Sequence, residues 1–226
     1  MRVKFVGHAT VLIEGGKNIV IDPFLNGNPV ASLGITDLPR IDYILVTHGH
    51  GDHLGDTVEI TKKFGSIVVS NFELGLYLQS KGLDRVHTMH IGGTHDFGDI
   101  WVKMTPALHG SSVVEDGKII YAGNPCGFVV KLDGKTLYHP GDTGLTKDME
   151  LLRDLEIDLA FIPIGGNYTM DAEDGAKAVK MISPRIVVPI HYNTWPLIEA
   201  DPEIFCEKVR GFSECRILKP GDSVEL

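Results

Sequence analysis

The chain is 226 residues long, of which 43% are hydrophobic and 23% are charged. This length and composition predict a single domain over residues 1–226 with one substantial core. The net charge of −9, with no run of lysine or arginine, argues against nucleic acid as a partner, because phosphate binding requires clustered cations. A small-molecule substrate remains allowed, including an anionic one held by a metal ion.

The cysteine and hydropathy patterns predict the compartment. The three cysteines form no CxxC pair and are odd in number, which predicts a reducing environment without disulfide bonds. Polar and glycine residues interrupt the N-terminal apolar stretch, and no stretch approaches the length of a membrane span. We therefore expect a cytoplasmic protein with no membrane partner, and the sequence leaves a homo-oligomer open.

Strands and helices alternate along the first half of the chain. The expected elements are two strands over 1–13 interrupted at Gly7 and His8, a turn at 15–17, a strand over 18–23, a loop over 24–40, a strand over 43–46, a helix over 56–64, a strand over 66–70, a helix over 72–80 and a strand over 100–104. Asn71 is a suitable N-cap for the second helix, and Gly82 follows its end.

The second half repeats the outline of the first half. The similar segments are 128–139 with 11–22, 158–163 with 42–47, and 185–190 with 66–70. A final helix over 202–209 has Asp201 as its N-cap and Pro202 at its first position. Two similar halves predict two sheets packed face to face with helices outside, so that loops at one edge of both sheets converge.

A cluster of metal-binding side chains directly follows the predicted strand 43–46. Residues 47–53 are Thr-His-Gly-His-Gly-Asp-His, and their potential ligands are His48, His50, Asp52 and His53. One loop cannot surround an ion, so other ligands must come from elsewhere in the chain. His109, Asp142 and His191 each follow a predicted strand. These seven donors suffice for two ions if one carboxylate bridges them, and the open positions that remain are typical of a catalytic site.

These motifs resemble the metallo-β-lactamase superfamily of hydrolases. The resemblance rests on Thr-His-x-His-x-Asp-His, followed at wide spacing by His109, by Asp142 within Gly-Asp-Thr, and by His191. Residues 7–10, 107–112 and 189–194 are most similar to small metal-dependent hydrolases related to bacterial L-ascorbate-6-phosphate lactonase. The resemblance covers essentially the whole chain and implies an α/β fold, a four-layer αββα sandwich of two similar halves.

The resemblance also implies how the ligands are shared. One ion would take His48, His50 and His109, the other would take Asp52, His53 and His191, and Asp142 would bridge them. Five imidazoles and two carboxylates suit two divalent ions, zinc or manganese first, with iron or nickel as alternatives. Oxygen-reducing di-iron relatives have a carboxylate where this chain has His50, so hydrolysis is favoured over redox chemistry.

The predicted function is hydrolysis of a small molecule by a metal-bridging hydroxide. Asp52 is the predicted catalytic residue that orients the hydroxide and accepts its proton. His8 is a second catalytic candidate, with a hydrogen-bonded loop histidine as the alternative. Asp22 would orient a ligand histidine or form a turn. Tyr168 is a candidate substrate contact, and residues 192–195, which include Tyr192 and Asn193, are candidates for a substrate wall.

The sequence leaves the substrate open. A lactone or related acyl bond is preferred from the resemblance, and a phosphodiester is the alternative because the same hydroxide attacks phosphorus. A metal-dependent sensor without turnover is the alternative of another class, although the complete ligand set argues against it. His87, His90 and His95 suggest a separate metal site, but no carboxylate or cysteine pattern completes it.

Overall fold

A computed structural model describes all residues from 1 to 226. The strands in chain order are β1 (Arg2–Gly7), β2 (Thr10–Glu14), β3 (Ile19–Ile21), β4 (Tyr43–Leu45), β5 (Ile67–Asn71), β6 (Val86–Met89), β7 (Thr94–Asp96), β8 (Trp101–Pro106), β9 (Ser112–Glu115), β10 (Lys118–Tyr121), β11 (Cys126–Leu132), β12 (Lys135–His139), β13 (Leu159–Pro163), β14 (Ile186–Ile190), β15 (Glu214–Cys215) and β16 (Ser223–Glu225). The helices are α1 (Gly51–Leu54), α2 (Thr57–Phe64), α3 (Phe72–Ser80), α4 (Ala172–Ile182) and α5 (Pro202–Val209). Short 3-10 segments cover Ile35–Asp37, Lys147–Leu155 and Pro196–Ile198.

The strands form two seven-stranded sheets and a separate hairpin. The first sheet has the order β16-β1-β2-β3-β4-β5-β6, the second has the order β15-β14-β13-β12-β11-β8-β7, and β9 pairs only with β10. In the first sheet β1, β2 and β3 pair antiparallel, and β3 to β6 pair parallel. In the second sheet β8, β11 and β12 pair antiparallel, and β12 to β15 pair parallel. The predicted similarity of the two halves is therefore confirmed strand by strand.

Three buried clusters define the layers. Between the sheets, 25 residues from both halves pack together, among them Phe5 and Phe128. On the outer face of the first sheet, Leu74 of α3 packs with Ile60 of α2, and on the outer face of the second sheet, Phe205 of α5 packs with residues of α4. Helices thus cover both outer faces, which confirms the αββα sandwich. A single domain over residues 1–226 remains a prediction, which the shared inter-sheet core favours.

Local sequence signals set the helix starts. The Asn71 side chain accepts a hydrogen bond from the backbone N–H of Leu74, and α3 begins at the next residue, as predicted. Asp201 caps α5 in the same way, by accepting from the N–H of Glu203. The histidine motif differs from the prediction, because residues 51–54 form the short helix α1 instead of a simple loop.

The pairing of the cysteines differs from the prediction. Cys206 and Cys215 form a disulfide with their Cα atoms 5.4 Å apart, so the prediction of a chain without disulfide bonds is wrong. The two cysteines meet because α5 packs beside the edge strand β15, which the pattern of residues did not show. Their pairing also removes the cysteine argument for a reducing compartment, and the cytoplasmic location stays a prediction. No helix is long and apolar enough to cross a membrane.

Candidate metal centre

The predicted donors meet at one edge of the two sheets. The histidine motif follows the carboxyl end of β4 in the first sheet, and the later donors follow strands of the second sheet. Ligand atoms of the predicted donors form overlapping groups, in each of which all atoms lie within 4.8 Å of one another. The first group is His48, His50 and His109, the second group is Asp52, His53 and His191 together with His8, and a further group of His48, His53 and Asp142 overlaps both. The structure therefore brings all seven predicted ligands together.

The first group consists of three imidazoles. Nε2 of His48 is 3.0 Å from Nδ1 of His50, and the ring of His109 has its centroid 5.1 Å from each of the other two rings. His48 is fully buried, whereas His50 and His109 are half-buried. This group matches the ligand set that the resemblance implied for one ion.

Asp142 lies between the first group and the second. Its Oδ1 is 3.2 Å from Nε2 of His53, and its Oδ2 is 3.0 Å from Nε2 of His191 and 3.6 Å from Nε2 of His109. His109 belongs to the first group, while His53 and His191 belong to the second. One carboxylate is thus within reach of donors from both groups, which is the position that a bridging ligand requires.

Buried polar atoms at the centre support metal binding. Nε2 of His53, Oδ1 of Asp142 and both ring nitrogens of His191 are buried, and none of them has a partner in hydrogen-bond geometry, although Nε2 of both histidines lies within 3.2 Å of the Asp142 carboxylate. Buried polar atoms without partners are rare in folded proteins because each costs about 1–3 kcal/mol. Imidazole and carboxylate donors that converge in this way suit a divalent transition metal ion. The residues present therefore fit the metal ions that the sequence implied.

Asp22 holds both donor groups through hydrogen bonds. It follows β3, is completely buried, and accepts from Nδ1 of His53 at 2.7 Å. It also accepts from the N–H and the hydroxyl of Thr47, and that hydroxyl is 3.0 Å from Nδ1 of His48. These bonds engage the Nδ1 atoms, so Nε2 of each histidine is free to bind an ion. The geometry favours the orienting role over the simple turn.

His8 is enclosed beside the second group. Its Nδ1 lies 2.8 Å from the Thr194 hydroxyl, and its Nε2 lies 3.2 Å from Oδ2 of Asp52. The residue is only 1% exposed, and its backbone carbonyl accepts from the N–H of His191. Because both ring nitrogens are engaged and no part of the ring reaches solvent, contact with Asp52 is favoured over contact with substrate.

Several residues at the centre have unusual backbone conformations. His8, Asp22, His191 and Asn193 have φ between +49° and +59°, in the left-handed region that non-glycine residues rarely adopt. Such conformations persist where the surrounding structure enforces them, and they concentrate at functional sites. Here His8, Asp22 and His191 are held by the hydrogen bonds of the site described above. Asn193 is fixed differently, because its Oδ1 accepts from the N–H of Ala200.

One glycine of the motif is required by close packing. A Cβ atom at Gly49 would lie 2.7 Å from the Cβ of Ala122 and 3.1 Å from the backbone of Ser112. Gly49 therefore allows the β9–β10 hairpin to pack against the loop between His48 and His50. A Cβ atom at Gly51 would meet nothing within 4 Å, so close packing does not require this glycine.

The electrostatics favour the metal-binding protonation state at five of the seven donors, whereas at His53 burial is outweighed by the neighbouring Asp142 and Asp22, which raise the pKa. Burial lowers the pKa of His48, His50 and His109, which favours the neutral imidazoles that bind metal ions. Burial acts to raise the pKa of Asp142, but the adjacent His53 and His191 outweigh it and hold that pKa well below its usual range. Burial also acts to raise the pKa of Asp52, but the hydrogen bond from His8 and the charge of His53 outweigh it and lower that pKa. Both carboxylates are therefore ionised at neutral pH.

The residues predicted for a substrate wall have different surroundings. Tyr168 is 53% exposed, whereas Tyr192 is half-buried and packs with the cluster beneath α4 and α5. Burial accordingly raises the pKa of Tyr192. Trp195 is 37% exposed, and its ring contacts His8 with 4.8 Å between centroids. Trp195 thus lies beside the metal centre, whereas the side chain of Tyr192 packs into the protein core.

The three remaining predicted histidines do not form a third group. The rings of His87 and His95 lie 4.1 Å apart between centroids, where the edge strands β6 and β7 of the two sheets meet. His90 instead stacks on Phe72. None of the three belongs to a group of three or more metal-binding side chains.

The sequence reasoning did not identify Thr47 and Thr194 as residues that hydrogen-bond His48 and His8. The position of Thr47 next to His48 was an available signal for its role. Thr194 lies three residues after His191, but no sequence feature indicated that it reaches His8.

A two-sheet αββα fold with a histidine-rich and aspartate-rich centre at its shared edge is the architecture of the metallo-β-lactamase superfamily. The chain belongs to this family, because the model of the beta-lactamase superfamily domain matches residues 2–191. Its relationship to the L-ascorbate-6-phosphate lactonase branch stays a prediction.

Relatives narrow the class further. A UPF0173 metal-dependent hydrolase of Pelotomaculum thermopropionicum is 53% identical over 230 residues, which cover 100% of both chains, and another of Carboxydothermus hydrogenoformans is 48% identical over 229 residues with the same coverage. The structure of Igni18, a metallo hydrolase of Ignicoccus hospitalis, matches with a TM-score of 0.89 and 36% identity over 99% of this chain and 97% of that one. The chain is a metal-dependent hydrolase of the metallo-β-lactamase fold.

Proposed function

We propose that the protein binds two divalent metal ions and hydrolyses a small molecule with a lactone or related acyl bond. The observation that carries the binuclear proposal is the position of Asp142, which is within 3.6 Å of Nε2 atoms in both donor groups. The proposed ligands are those grouped above, with Asp142 shared. The two proposed ions are zinc or manganese, since the donors are imidazoles and carboxylates.

Two such ions would supply a nucleophilic hydroxide at neutral pH and would polarise the bond under attack. The chain contributes two carboxylates, Asp52 and Asp142, against the charge of the ions. Asp22 and Thr47 hold His53 and His48 in the orientation that presents their Nε2 atoms. These contacts exist before substrate binds, so the centre needs little rearrangement during the reaction.

Asp52 is the proposed catalytic residue. Its side chain is 28% exposed, in contrast to the buried Asp142, so it reaches the side from which substrate approaches. Oδ2 of Asp52 lies 3.2 Å from Nε2 of His8 and 3.9 Å from Nε2 of His53, so it is the oxygen proposed to bind the ion, and Oδ1 is left to orient the nucleophile and accept a proton. His8 is proposed to act by holding Asp52, because its own ring is closed to solvent.

A cavity next to the centre supports a neutral acyl substrate over a phosphodiester. The cavity measures about 710 Å³ and is lined by residues between Asn193 and Pro202, including Thr194 and Trp195. Thr194 and Trp195 also contact His8. The lining contains the carboxylates of Glu199 and Asp201 and no lysine or arginine. This lining gives an anionic group no positively charged partner, and it therefore favours the lactone.

The test combines metal analysis with hydrolysis. Metal-replete protein is expected to contain two ions per chain and to hydrolyse a neutral aryl lactone faster than a bis-aryl phosphodiester, with loss of turnover on chelation. Faster cleavage of the phosphodiester would support the alternative substrate class. Stoichiometric ligand capture without turnover would support the sensor. One ion or none in active protein would contradict the binuclear site.

A further inference from the structure

Thr194 makes the only hydrogen bond to Nδ1 of His8. The distance from the Thr194 hydroxyl to this nitrogen is 2.8 Å, and the other ring nitrogen, Nε2, lies 3.2 Å from Oδ2 of Asp52. The three side chains come from the β1–β2 connection, the histidine motif and the segment after β14. Hydrogen bonds between these three side chains thus join the two halves of the protein.

The direction of these hydrogen bonds follows from the chemistry of the groups. An ionised carboxylate only accepts hydrogen bonds, so Nε2 of His8 must carry a proton in order to bond to Asp52. A neutral imidazole has one proton, and its Nδ1 is then an acceptor. The Thr194 hydroxyl can donate or accept, and with this tautomer it donates to Nδ1. Thr194 therefore donates a hydrogen bond to His8, and His8 in turn donates one to Asp52.

Aromatic contacts limit how the His8 ring can move. Its centroid is 4.1 Å from that of His191, 4.8 Å from that of Trp195 and 6.0 Å from that of Phe24. None of these rings makes a hydrogen bond to Nδ1 of His8, whose partner is the Thr194 hydroxyl. If the Thr194 hydroxyl were removed, Nδ1 would be a buried acceptor without a partner, and the other tautomer would place the Nε2 lone pair against the Asp52 carboxylate. Both arrangements are unfavourable.

We propose that Thr194 is a positioning residue that fixes the tautomer of His8 and, through it, the orientation of the Asp52 carboxylate. The consequence for metal binding rests on the proposed function, in which Asp52 is a ligand. The hydrogen bonds that join Thr194, His8 and Asp52 do not depend on the proposed function. Residues that orient ligands in this way typically change metal affinity or activity by about 10–100-fold when they are removed.

The experiment compares the wild-type protein with T194V and T194S. Thr194→Val keeps the shape and removes the hydroxyl, whereas Thr194→Ser keeps the hydroxyl and removes the methyl group. Long-range proton–nitrogen NMR of histidine-labelled protein, metal-free and zinc-loaded, identifies which nitrogen of His8 is protonated, with H8Q used to assign the signals. Zinc retention is measured against a chelator, and kcat and KM are measured on the substrate that the wild type hydrolyses best.

In the wild type and T194S, we expect a protonated Nε2 and a bare Nδ1 in His8. In T194V, we expect loss of this single tautomer, about tenfold weaker retention of one zinc ion, and a kcat about tenfold lower with KM within about twofold. A wild-type His8 protonated at Nδ1 or at both nitrogens would overturn the proposal. So would a T194V spectrum and zinc retention like those of the wild type, or equal losses in T194S.

The design separates this proposal from the proposed function. If the wild type binds no zinc or hydrolyses nothing, the proposed function fails. The NMR of the metal-free protein then still decides whether Thr194 sets the tautomer of His8.

Discussion

The two halves of the molecule have the same strand pairing but contribute differently to the metal centre. In each sheet, three antiparallel pairings are followed by three parallel ones. The first half supplies four donors from one short segment, along with the Asp22 carboxylate that holds them. The second half supplies its donors one at a time, from the ends of separate strands. The repeated fold thus creates a shared edge, while individual loop residues decide the chemistry there.

This difference means that the second half depends on single residues. Asp142 is the one carboxylate within 3.6 Å of donors of both groups, whereas the histidine motif of the first half has several donors side by side. The second half also contains the disulfide, for which the first half has no equivalent. Substitutions in the two halves are therefore expected to differ in their effects on the metal centre and on stability.

Asp142→Asn should remove the shared ligand while keeping its size. We expect both metal ions to be lost from the purified protein and turnover to fall by a factor on the order of 10³ or more, since the residues of the centre act as a unit. Metal analysis and steady-state kinetics measure the two effects. Loss of a single ion, with the other retained at full occupancy, would contradict the bridging position of Asp142.

Cys215→Ser should lower stability without changing the metal centre. The disulfide closes a loop with a sequence separation of nine, for which chain entropy gives a stabilisation of about 2–3 kcal/mol. Denaturant unfolding under non-reducing conditions measures the loss, and reduction of the wild type should reproduce it. Metal content serves as the internal control. Equal stability of wild type and variant under non-reducing conditions would show that the disulfide contributes nothing.

Asp22→Asn should weaken metal binding from outside the ligand set. The substitution keeps the shape of the side chain but removes the charge that faces Nδ1 of His53 and the hydroxyl of Thr47. We expect metal affinity to fall by about 10–100-fold, the usual range for a residue that orients a ligand histidine. Competition with a chelator measures this change. Asp133→Asn, which alters an exposed carboxylate that bonds only Gly16, is the matched control and should leave the affinity unchanged.

His87→Gln should have the smallest effect, on the pH dependence of stability. Burial and the nearby His95 lower the pKa of His87 from its ordinary value of 6.5. The unfolded chain therefore binds more protons at this residue than the folded chain, so its contribution to stability decreases as pH falls through 6.5 toward the lower folded pKa. Thermal unfolding between pH 7.5 and 5.5 should show a weaker pH dependence in the variant. His90→Gln is the control, and an equal change in both variants would contradict the prediction.

Parts of the fold were predictable because their signals are local. Helices α3 and α5 have the predicted bounds, since Asn71 and Asp201 satisfy free N–H groups at the helix starts. The repeat of strand and turn patterns predicted two sheets, because buried strands produce the same hydrophobic runs wherever they occur. Short or exposed strands carry weaker patterns, and the β9–β10 hairpin was accordingly missed.

The sequence by itself determined the class of fold and the seven donors, because the donors are side chains of particular types at the ends of recognisable strands. The resemblance implied that Asp142 bridges two donor groups, but only the tertiary structure decided that Asp22 holds both groups and that Thr194 reaches His8. The disulfide between Cys206 and Cys215 belongs with these. Each depends on distances between segments that are far apart in the chain or in different elements, and packing of the two sheets and their helices sets those distances.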